Sequence, residues 1–146
     1  MSLIPADEYA RIIEALPILC VDVVVRNSMD EYLLVKRANE PLKDQWWVVG
    51  GRVLKGESLD QAAIRKVREE AGLEVKFVQP IGYYEDSFET NPFGGAIKLH
   101  SVSVVFSTIV DNRQKIRIDY QSSEWKYSKE LPENFRIKSF SVAIKS

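Results

Sequence analysis

Residues 51–73 constrain the fold more than any other part of this chain, because they carry the marks of a helix with two unlike faces. Ser58 and Gln61 have the spacing of a capping box, which indicates a helix start, and Gly72 just after Ala71 is a typical helix stop. The sequence therefore predicts a helix of about four turns between these marks.

The two faces of this predicted helix differ in chemistry. At roughly 100° per residue, one face gathers Leu59, Ala63, Ile64, Val67 and Ala71, and the other gathers Ala62, Arg65, Lys66, Glu69 and Glu70. The first face is predicted to pack on the core. On the second, Arg65 can pair with Glu69, and small Ala62 leaves room for a ligand.

Carboxylates are concentrated beside this second face, since Glu57 lies just before the helix and can join Glu69 and Glu70. Three carboxylates around one point repel one another unless a positive charge compensates them, and a divalent cation is the natural one. Mg²⁺, with Mn²⁺ as the alternative, binds a few carboxylates together with water and phosphate oxygens. The carbonyl of Gly50 is a further predicted ligand, because glycine lets the backbone come close. The alternative interpretation is an ordinary solvated helix face.

The full spacing resembles the Nudix box, which runs Gly, five residues, Glu, seven residues, Arg-Glu-apolar-any-Glu-Glu-any-Gly-apolar. Eight of the nine fixed positions match, and the exception is Lys66, which stands where the family has a Glu. The resemblance implies an α/β (α+β) chain with the Nudix fold, in which a mixed β-sheet is sandwiched between helices. It also implies a magnesium-dependent hydrolase with catalytic roles for Arg65 and Glu69.

Residues 16–53 resemble, more narrowly, the N-terminal half of the GDP-mannose mannosyl hydrolase branch, with Lys-Arg at a hairpin end, an aromatic pair and Gly-Gly-Arg-Val. The positions that match contacts to sugar, diphosphate or metal in this branch are Asp22, Arg37, Gly50, Arg52 and Glu70. Apart from the resemblance, Asp22 in an apolar strand must either face a polar cleft or pair with an arginine. Arg37 and Arg52 suit a phosphate clamp, although Arg37 as a plain surface charge is the alternative.

Lys66 removes a carboxylate that many Nudix pyrophosphatases use to bind metal or to activate water. The mannosyl hydrolase branch also lacks that Glu, so its loss is compatible with activity. Lys66 lies one turn before Glu70 and can either pair with it or replace a second metal ion as a fixed positive charge. Simple pairing is the favoured interpretation.

The general base is the point at which the match to this branch fails. Mannosyl hydrolases have a His after a Gln in a late loop, whereas here Gln121, which matches the Gln that binds metal, is followed by Ser122. Serine is a poor base at neutral pH. Glu124 is the predicted base, because other Nudix branches use a late-loop Glu, and Asp119 is the second choice. His100 is expected to face the substrate, or to support residues that do, rather than to act as the base, and a purely structural histidine is the alternative.

Composition limits the partners of the chain. With 146 residues and 45% hydrophobic content, residues 1–146 are predicted to form a single domain. The net charge of −1 argues against nucleic acid as a partner, and the lack of an apolar stretch of about 18 residues argues against a membrane span. The single cysteine, Cys20, excludes an intrachain disulfide framework and favours a cytoplasmic location. The predicted N-terminal helix and the branch resemblance favour a homodimer.

The remaining pattern predicts a helix at residues 5–15 and strands at 18–25, 32–35, 46–49, 75–84, 97–110, 115–118 and 125–127. A Gly/Pro-bearing loop is predicted at 86–95, and a weak helix is predicted at 139–145. Strands interspersed with helices fit a mixed sheet with helices on both sides.

These features favour a magnesium-dependent hydrolase of a nucleoside diphosphate derivative, with a nucleotide sugar as the first choice of substrate. Two reactions remain open. Water attacks either a phosphorus atom, as in pyrophosphate cleavage of an NTP or ADP-ribose, or the anomeric carbon with the diphosphate as leaving group. A Nudix domain that binds a nucleotide without turning it over is the alternative from another class, supported by Lys66 and Ser122.

Overall fold

An eight-stranded mixed sheet and two helices form the regular structure of residues 4–89, 91 and 98–140, which the computed structural model describes. The elements in chain order are α1 (Ala6–Ala15), β1 (Ile18–Arg26), β2 (Tyr32–Arg37), β3 (Trp46–Trp47), β4 (Val49–Arg52), α2 (Leu59–Ala71), β5 (Gln79–Phe88), β6 (Leu99–Ile109), β7 (Ser122–Ser128) and β8 (Lys138–Ser139). Within those residues, neither helix is long and apolar enough to cross a bilayer.

The sheet is built around β1. This strand pairs in parallel with β6 and antiparallel with β2 and β4. The strand order is β3-β2-β1-β6-β5-β8, with β4 also on β1 and β7 on β2. The β-branched run in β1 suits a strand that is covered on both faces. The predicted mixed sheet with helices is therefore confirmed.

Alternate residues of β1 face two different layers. The odd-numbered valines Val21, Val23 and Val25 pack with buried residues of α2. On the opposite face, Ile18 packs with Ile13 of α1, and Val24 lies in a cluster with Phe135 from the C-terminal segment. The two helices thus cover opposite faces of the sheet, and the even-numbered face of β1 lies between α1 and the C-terminal segment.

The helix α2 begins and ends as predicted. The Ser58 side chain accepts a hydrogen bond from the Gln61 backbone, and the Gln61 side chain accepts one from the Ser58 backbone. Gly72 ends the helix in a left-handed conformation with φ of 68°. Lys66 and Glu70 depart from the simple two-face picture, because both are buried although they belong to the polar face.

Several predicted strand limits need correction. Residues 115–118 are not a strand, because Arg117 donates its backbone N–H to Ala71 and this segment packs over the end of α2. The strand predicted at 75–84 begins later and continues to Phe88, which shortens the predicted loop. Parts of the segments predicted at 86–95, 97–110 and 139–145 lie outside the described residues, whereas residues 138 and 139 pair with β5 as a short strand.

Candidate active site

A cleft of about 280 Å³ lies over the even-numbered face of β1. Strand pairing places Asp22 opposite Gly50, and Cys20 opposite Arg52, so β1 and β4 present these residues side by side. The predicted site residues that line the cleft are Asp22, Arg37, Gly50, Arg52, Arg65, Glu69 and Gln121. The sequence therefore identified residues from five separate segments that the fold brings to one cleft.

Arg65 organises the end of the cleft formed by α2. Its Nε lies 2.6 Å from Glu57 Oε2, and its Nη1 lies 3.1 Å from Glu69 Oε2. Its Nη2 donates to Glu57 Oε1 at 3.0 Å and to the carbonyl of Arg52 at 2.9 Å. The hydrogen bonds from Arg65 lower the pKa of Glu57. Arg65 thus joins the start of α2 to β4, and its predicted pairing with Glu69 is confirmed.

Lys66 lies beside Arg65 and is only 5% exposed. Its Nζ is 3.0 Å from Glu70 Oε2 and 3.5 Å from Glu69 Oε2, so the predicted pairing with Glu70 is confirmed. Glu70 is also buried, and its Oε1 accepts a hydrogen bond from the backbone of Gly50 at 3.4 Å. Burial raises the pKa of Glu70, and the ammonium of Lys66 partly opposes that rise.

The glycine pair at the start of the motif lets two buried groups approach β4 from its two sides. A Cβ on Gly50 would collide with Asp22 Oδ1 and with the carbonyl of Val21. A Cβ on Gly51 would lie 2.6 Å from Lys66 Cε and 3.0 Å from Lys66 Nζ. The pair therefore brings the cleft face of β1 and the charged side of α2 close together with only backbone between them.

The expected meeting of three carboxylates around one point needs correction. In the described part of the chain, no three His, Cys, Asp or Glu side chains are close enough together to hold a metal ion. The physical reason is that Arg65 stands between Glu57 and Glu69, while Lys66 stands against Glu69 and Glu70. The positive charges of Arg65 and Lys66 compensate the carboxylate charges that were expected to require a metal ion.

The donors of the cleft nevertheless fit Mg²⁺ or Mn²⁺. Magnesium commonly binds through one or two carboxylates, and water and substrate phosphate oxygens complete its shell. Glu69 and Gln121 line the cleft, and the hydrogen bond between Gly50 and Glu70 holds the latter carboxylate against β4. These are hard oxygen donors that suit such an ion. A cage of three carboxylates is not needed for that mode of binding.

Asp22 is a buried acid on the cleft face of β1, at 6% exposed. The hydroxyl of Tyr84 donates to Asp22 Oδ2, Ser103 also hydrogen-bonds the carboxyl, and Trp47 Nε1 donates to the Tyr84 hydroxyl at 3.3 Å. Burial raises the pKa of Asp22 to about 7 despite these hydrogen bonds. Asp22 thus meets the requirement for a buried acid through hydroxyl donors in a polar cleft.

Replacing Asp22 by Asn is expected to change how stability depends on pH. The carboxyl has a pKa of about 7 in the folded chain against an ordinary 3.8, so between these values the folded chain keeps a proton that the unfolded chain has lost. Its contribution to stability is complete below the lower value and is lost as pH rises through 7, with a slope approaching about 1.4 kcal/mol per pH unit. Urea unfolding from pH 4 to 8 measures this. The free energy of unfolding of the wild type minus that of Asp22→Asn should fall as pH rises from 4 to 8. A difference that stays constant over this range would contradict the raised pKa of Asp22.

Tyr84, Ser103 and Tyr9 are site residues that the sequence did not assign. Neither Tyr84 nor Ser103 belongs to a motif of the sequence. Their place follows from strand register, since Tyr84 pairs with Ser103, and Ser103 pairs with Cys20 two residues before Asp22. Tyr9 of α1 lies under Arg52, whose guanidinium carbon is 4.7 Å from the ring centroid.

The structure does not bring His100 and Glu124 into this cleft. His100 is exposed on β6 and pairs with Ser87. Glu124 is exposed on β7, where its carboxylate lies 3.2 Å from Lys36 Nζ. Alternation along β2 explains this placement, because Lys36 and Arg37 point to opposite faces and only Arg37 lines the cleft. Asp119, in contrast, acts electrostatically on Glu70 and accepts a hydrogen bond from the Gln121 backbone at 3.0 Å.

The mixed sheet, the glycine pair and the charged side of α2 together match the architecture of one family of hydrolases. The chain belongs to the Nudix family, since the model of the NUDIX domain matches residues 16–137. The low-salt glycan biosynthesis protein Agl8 of Haloferax volcanii is 33% identical over 123 residues, which cover 84% of this chain and 78% of that protein. The chain is thus a Nudix hydrolase, and hydrolases of this family generally use divalent metal ions.

Two further comparisons agree. The ADP-ribose pyrophosphatase of Methanocaldococcus jannaschii is 34% identical over 90 residues, which cover 62% of this chain and 49% of that protein. The crystal structure of a MutT NUDIX hydrolase from Burkholderia pseudomallei shares the fold with a TM-score of 0.68 at 19% identity, covering 81% of this chain and 88% of that one. The predicted family and fold are therefore confirmed.

Proposed function

We propose that this chain is a magnesium-dependent hydrolase of a nucleoside diphosphate derivative, with a nucleotide sugar as its substrate. The observation that carries the proposal is the composition of the cleft. Arg37 and Arg52 line it together with the charged side of α2, and Asp22 lines its inner wall. A diphosphate suits the arginines, whereas hydroxyl groups of a sugar or amino groups of a base suit the Asp22 carboxylate.

A nucleotide sugar is favoured by two observations. Agl8, whose name refers to glycan biosynthesis, aligns with 84% of this chain, which supports a substrate that contains a sugar. The resemblance of residues 16–53 to the GDP-mannose mannosyl hydrolase branch points to the same class. The 34% identity with an ADP-ribose pyrophosphatase supports the second candidate, a pyrophosphohydrolase of ADP-ribose or an NTP.

The residues of the cleft have distinct roles in this proposal. Arg37 and Arg52 bind the diphosphate, and Asp22 orients the sugar or the base. Arg65 acts by fixing Glu57 and Glu69. Glu69 and Gln121, which line the cleft, would hold the ion, and Glu57, Glu70 and the Gly50 carbonyl stay predicted ligands. A bound Mg²⁺ or Mn²⁺ would stabilise negative charge on phosphate oxygens. His100 alternates with Leu99 and Ser101, which line the cleft, so it lies on the other face of β6, and its contact with substrate stays a prediction.

The substrate and the bond that is cleaved are tested together with a panel of NTPs, ADP-ribose and nucleotide sugars in water labelled with oxygen-18 and containing magnesium. We expect turnover of a nucleotide sugar. Label in the free sugar indicates attack on carbon, and label in a phosphate indicates attack on phosphorus. Turnover confined to NTPs or ADP-ribose would replace the substrate class, and nucleotide binding without any product would favour a non-catalytic domain.

The identity of the general base is tested with two matched substitutions. We expect Asp119→Asn to lower kcat by about 10-fold or more, because Asp119 acts on Glu70 beside the cleft. Glu124→Gln should keep kcat within about threefold, because that carboxylate is exposed and paired with Lys36. Steady-state kinetics on the best substrate of the panel measure both. The reverse order of effects would restore Glu124 as the base, as the late-loop pattern predicts.

The remaining partner predictions belong to the same proposal. A small nucleoside diphosphate derivative is the partner in solution, and no role for nucleic acid or membrane is proposed. A cytoplasmic location and a homodimer stay predictions. Size-exclusion chromatography with light scattering measures the oligomeric state directly.

A further inference from the structure

Lys66 occupies a position that is unusual for a lysine, since lysine is seldom buried unless it is paired. It is 5% exposed, and its ammonium lies 3.0 Å from Glu70 and 3.5 Å from Glu69. It stands at the one fixed position of the family motif that this chain does not match. A positive charge is thus placed where the motif has a negative one.

The path of this side chain is fixed by β4. A Cβ on Gly51 would lie 2.6 Å from Lys66 Cε, so the end of the lysine stem packs directly against the glycine backbone. The ammonium is therefore held between α2 and β4, next to the Gly50 N–H that donates to Glu70. This is a built position rather than a mobile surface charge.

The surrounding charges require a cation at this point. Glu69 and Glu70 are adjacent on α2, Glu70 is 5% exposed, and Asp119 adds a further negative charge that acts on Glu70. Arg65 pairs with Glu57 and Glu69, and the ion pair of Glu70 is made by Lys66. Removing one partner of a buried pair leaves an uncompensated charge, which is strongly unfavourable.

We propose that Lys66 is a built-in cation that takes the place of a divalent ion between Glu69 and Glu70. The folded site then needs no metal to compensate these carboxylates, and a divalent ion binds beside them more weakly than it would without the lysine. The inference rests on the proposed use of a divalent ion at α2. It adds that two functions of such an ion are divided in this chain. Lys66 compensates the carboxylates of the folded site, and the added divalent ion acts only on the bound substrate.

The test is the stability and the metal affinity of Lys66→Met, which keeps an unbranched stem against Gly51 and removes the charge. Melting temperatures are measured at about pH 8, where ordinary carboxyl groups are ionised, in EDTA and in excess MnCl₂. The wild type should melt within about 2 °C in the two conditions, whereas Lys66→Met should melt about 5 °C or more lower in EDTA and regain most of this with Mn²⁺. Mn²⁺ affinity, measured by electron paramagnetic resonance, should rise about 10-fold or more.

Two further variants serve as controls for Lys66→Met. Lys76→Met removes an exposed lysine beyond the end of α2 and should behave as the wild type in both conditions. The double variant Lys66→Met/Glu70→Gln removes both charges of the buried pair and should recover stability in EDTA without any response to Mn²⁺. A double variant as unstable as Lys66→Met, or a single variant with unchanged Mn²⁺ affinity, would show that the lysine only fills space and would overturn the inference.

The test of Lys66 is independent of the substrate panel, because neither the melting temperature nor the Mn²⁺ affinity depends on turnover. An active wild type whose Lys66→Met variant shows no metal dependence would refute the built-in cation and leave the proposed hydrolase intact. No turnover of any substrate in the panel, together with a Lys66→Met variant whose melting temperature depends on Mn²⁺, would support the built-in cation and refute the proposed hydrolase.

Discussion

Glu70→Gln is expected to lower kcat by at least about 100-fold while the nucleotide still binds with nearly the same affinity, since removing one preorganised charged group from an active site has effects of this size. The carboxylate is held against β4 by the Gly50 N–H and against α2 by Lys66, so its position is fixed before any ligand arrives. The amide is close to the carboxylate in shape but has no charge with which to hold a divalent ion. The arginines proposed to bind the diphosphate remain in place, which is why binding should survive.

The matched control is Glu74→Gln, which removes an exposed carboxylate that pairs with Arg68 near the end of the same helix. Its kcat should stay within about twofold, because exposed ion pairs contribute little. Turnover is measured with the best substrate of the panel, and binding is measured by calorimetry in the presence of magnesium. A Glu70→Gln enzyme with nearly full turnover would remove Glu70 from the metal site. Lost binding together with lost folding would instead assign it a structural role.

The elements that the sequence predicted well are those whose signals are local. The Ser58 cap, the Gly72 stop and the periodicity of α2 depend on contacts within one helix, so they can be inferred without the rest of the fold. Residues 115–118 show the opposite case. Their alternating pattern suits a strand, but the hydrogen bond from Arg117 to Ala71 draws the segment over the end of α2, and no local signal encodes that contact.

The same distinction applies to the candidate site. The spacing of the motif placed Arg65, Glu69 and Glu70 correctly on one helix and predicted the two pairings within it, but it did not show that Arg65 would also pair with Glu57. The link between Asp22 and Tyr84 joins residues 62 positions apart and depends on the register of three strands. The side of β7 on which Glu124 lies likewise follows from pairing with β2, and a late-loop pattern alone cannot set it.

Gly50→Ala is expected to be the most destabilising small substitution near the site, because β1 leaves no room for a side chain at this glycine. The added methyl group would collide with Asp22 Oδ1 and with the Val21 carbonyl. A side chain can rotate away, but the backbone of a central strand cannot, so the strands must separate. We expect a loss of about 3 kcal/mol or more in the free energy of unfolding, at the upper end of overpacking effects. Urea unfolding measures it.

Gly56→Ala separates this collision from the general effect of replacing a glycine. Gly56 has φ of 85° and open space around it, so alanine there meets only backbone strain and should cost about 1 kcal/mol. The variant Gly50→Ala/Asp22→Ala removes the side-chain part of the collision but keeps the one with the Val21 carbonyl. This double variant should therefore regain only part of the free energy of unfolding that Gly50→Ala loses. Full recovery would mean that Asp22 alone requires glycine at this position, and no recovery would mean that the approach of the two strands requires it. Equal losses at Gly50 and Gly56 would contradict the close approach itself.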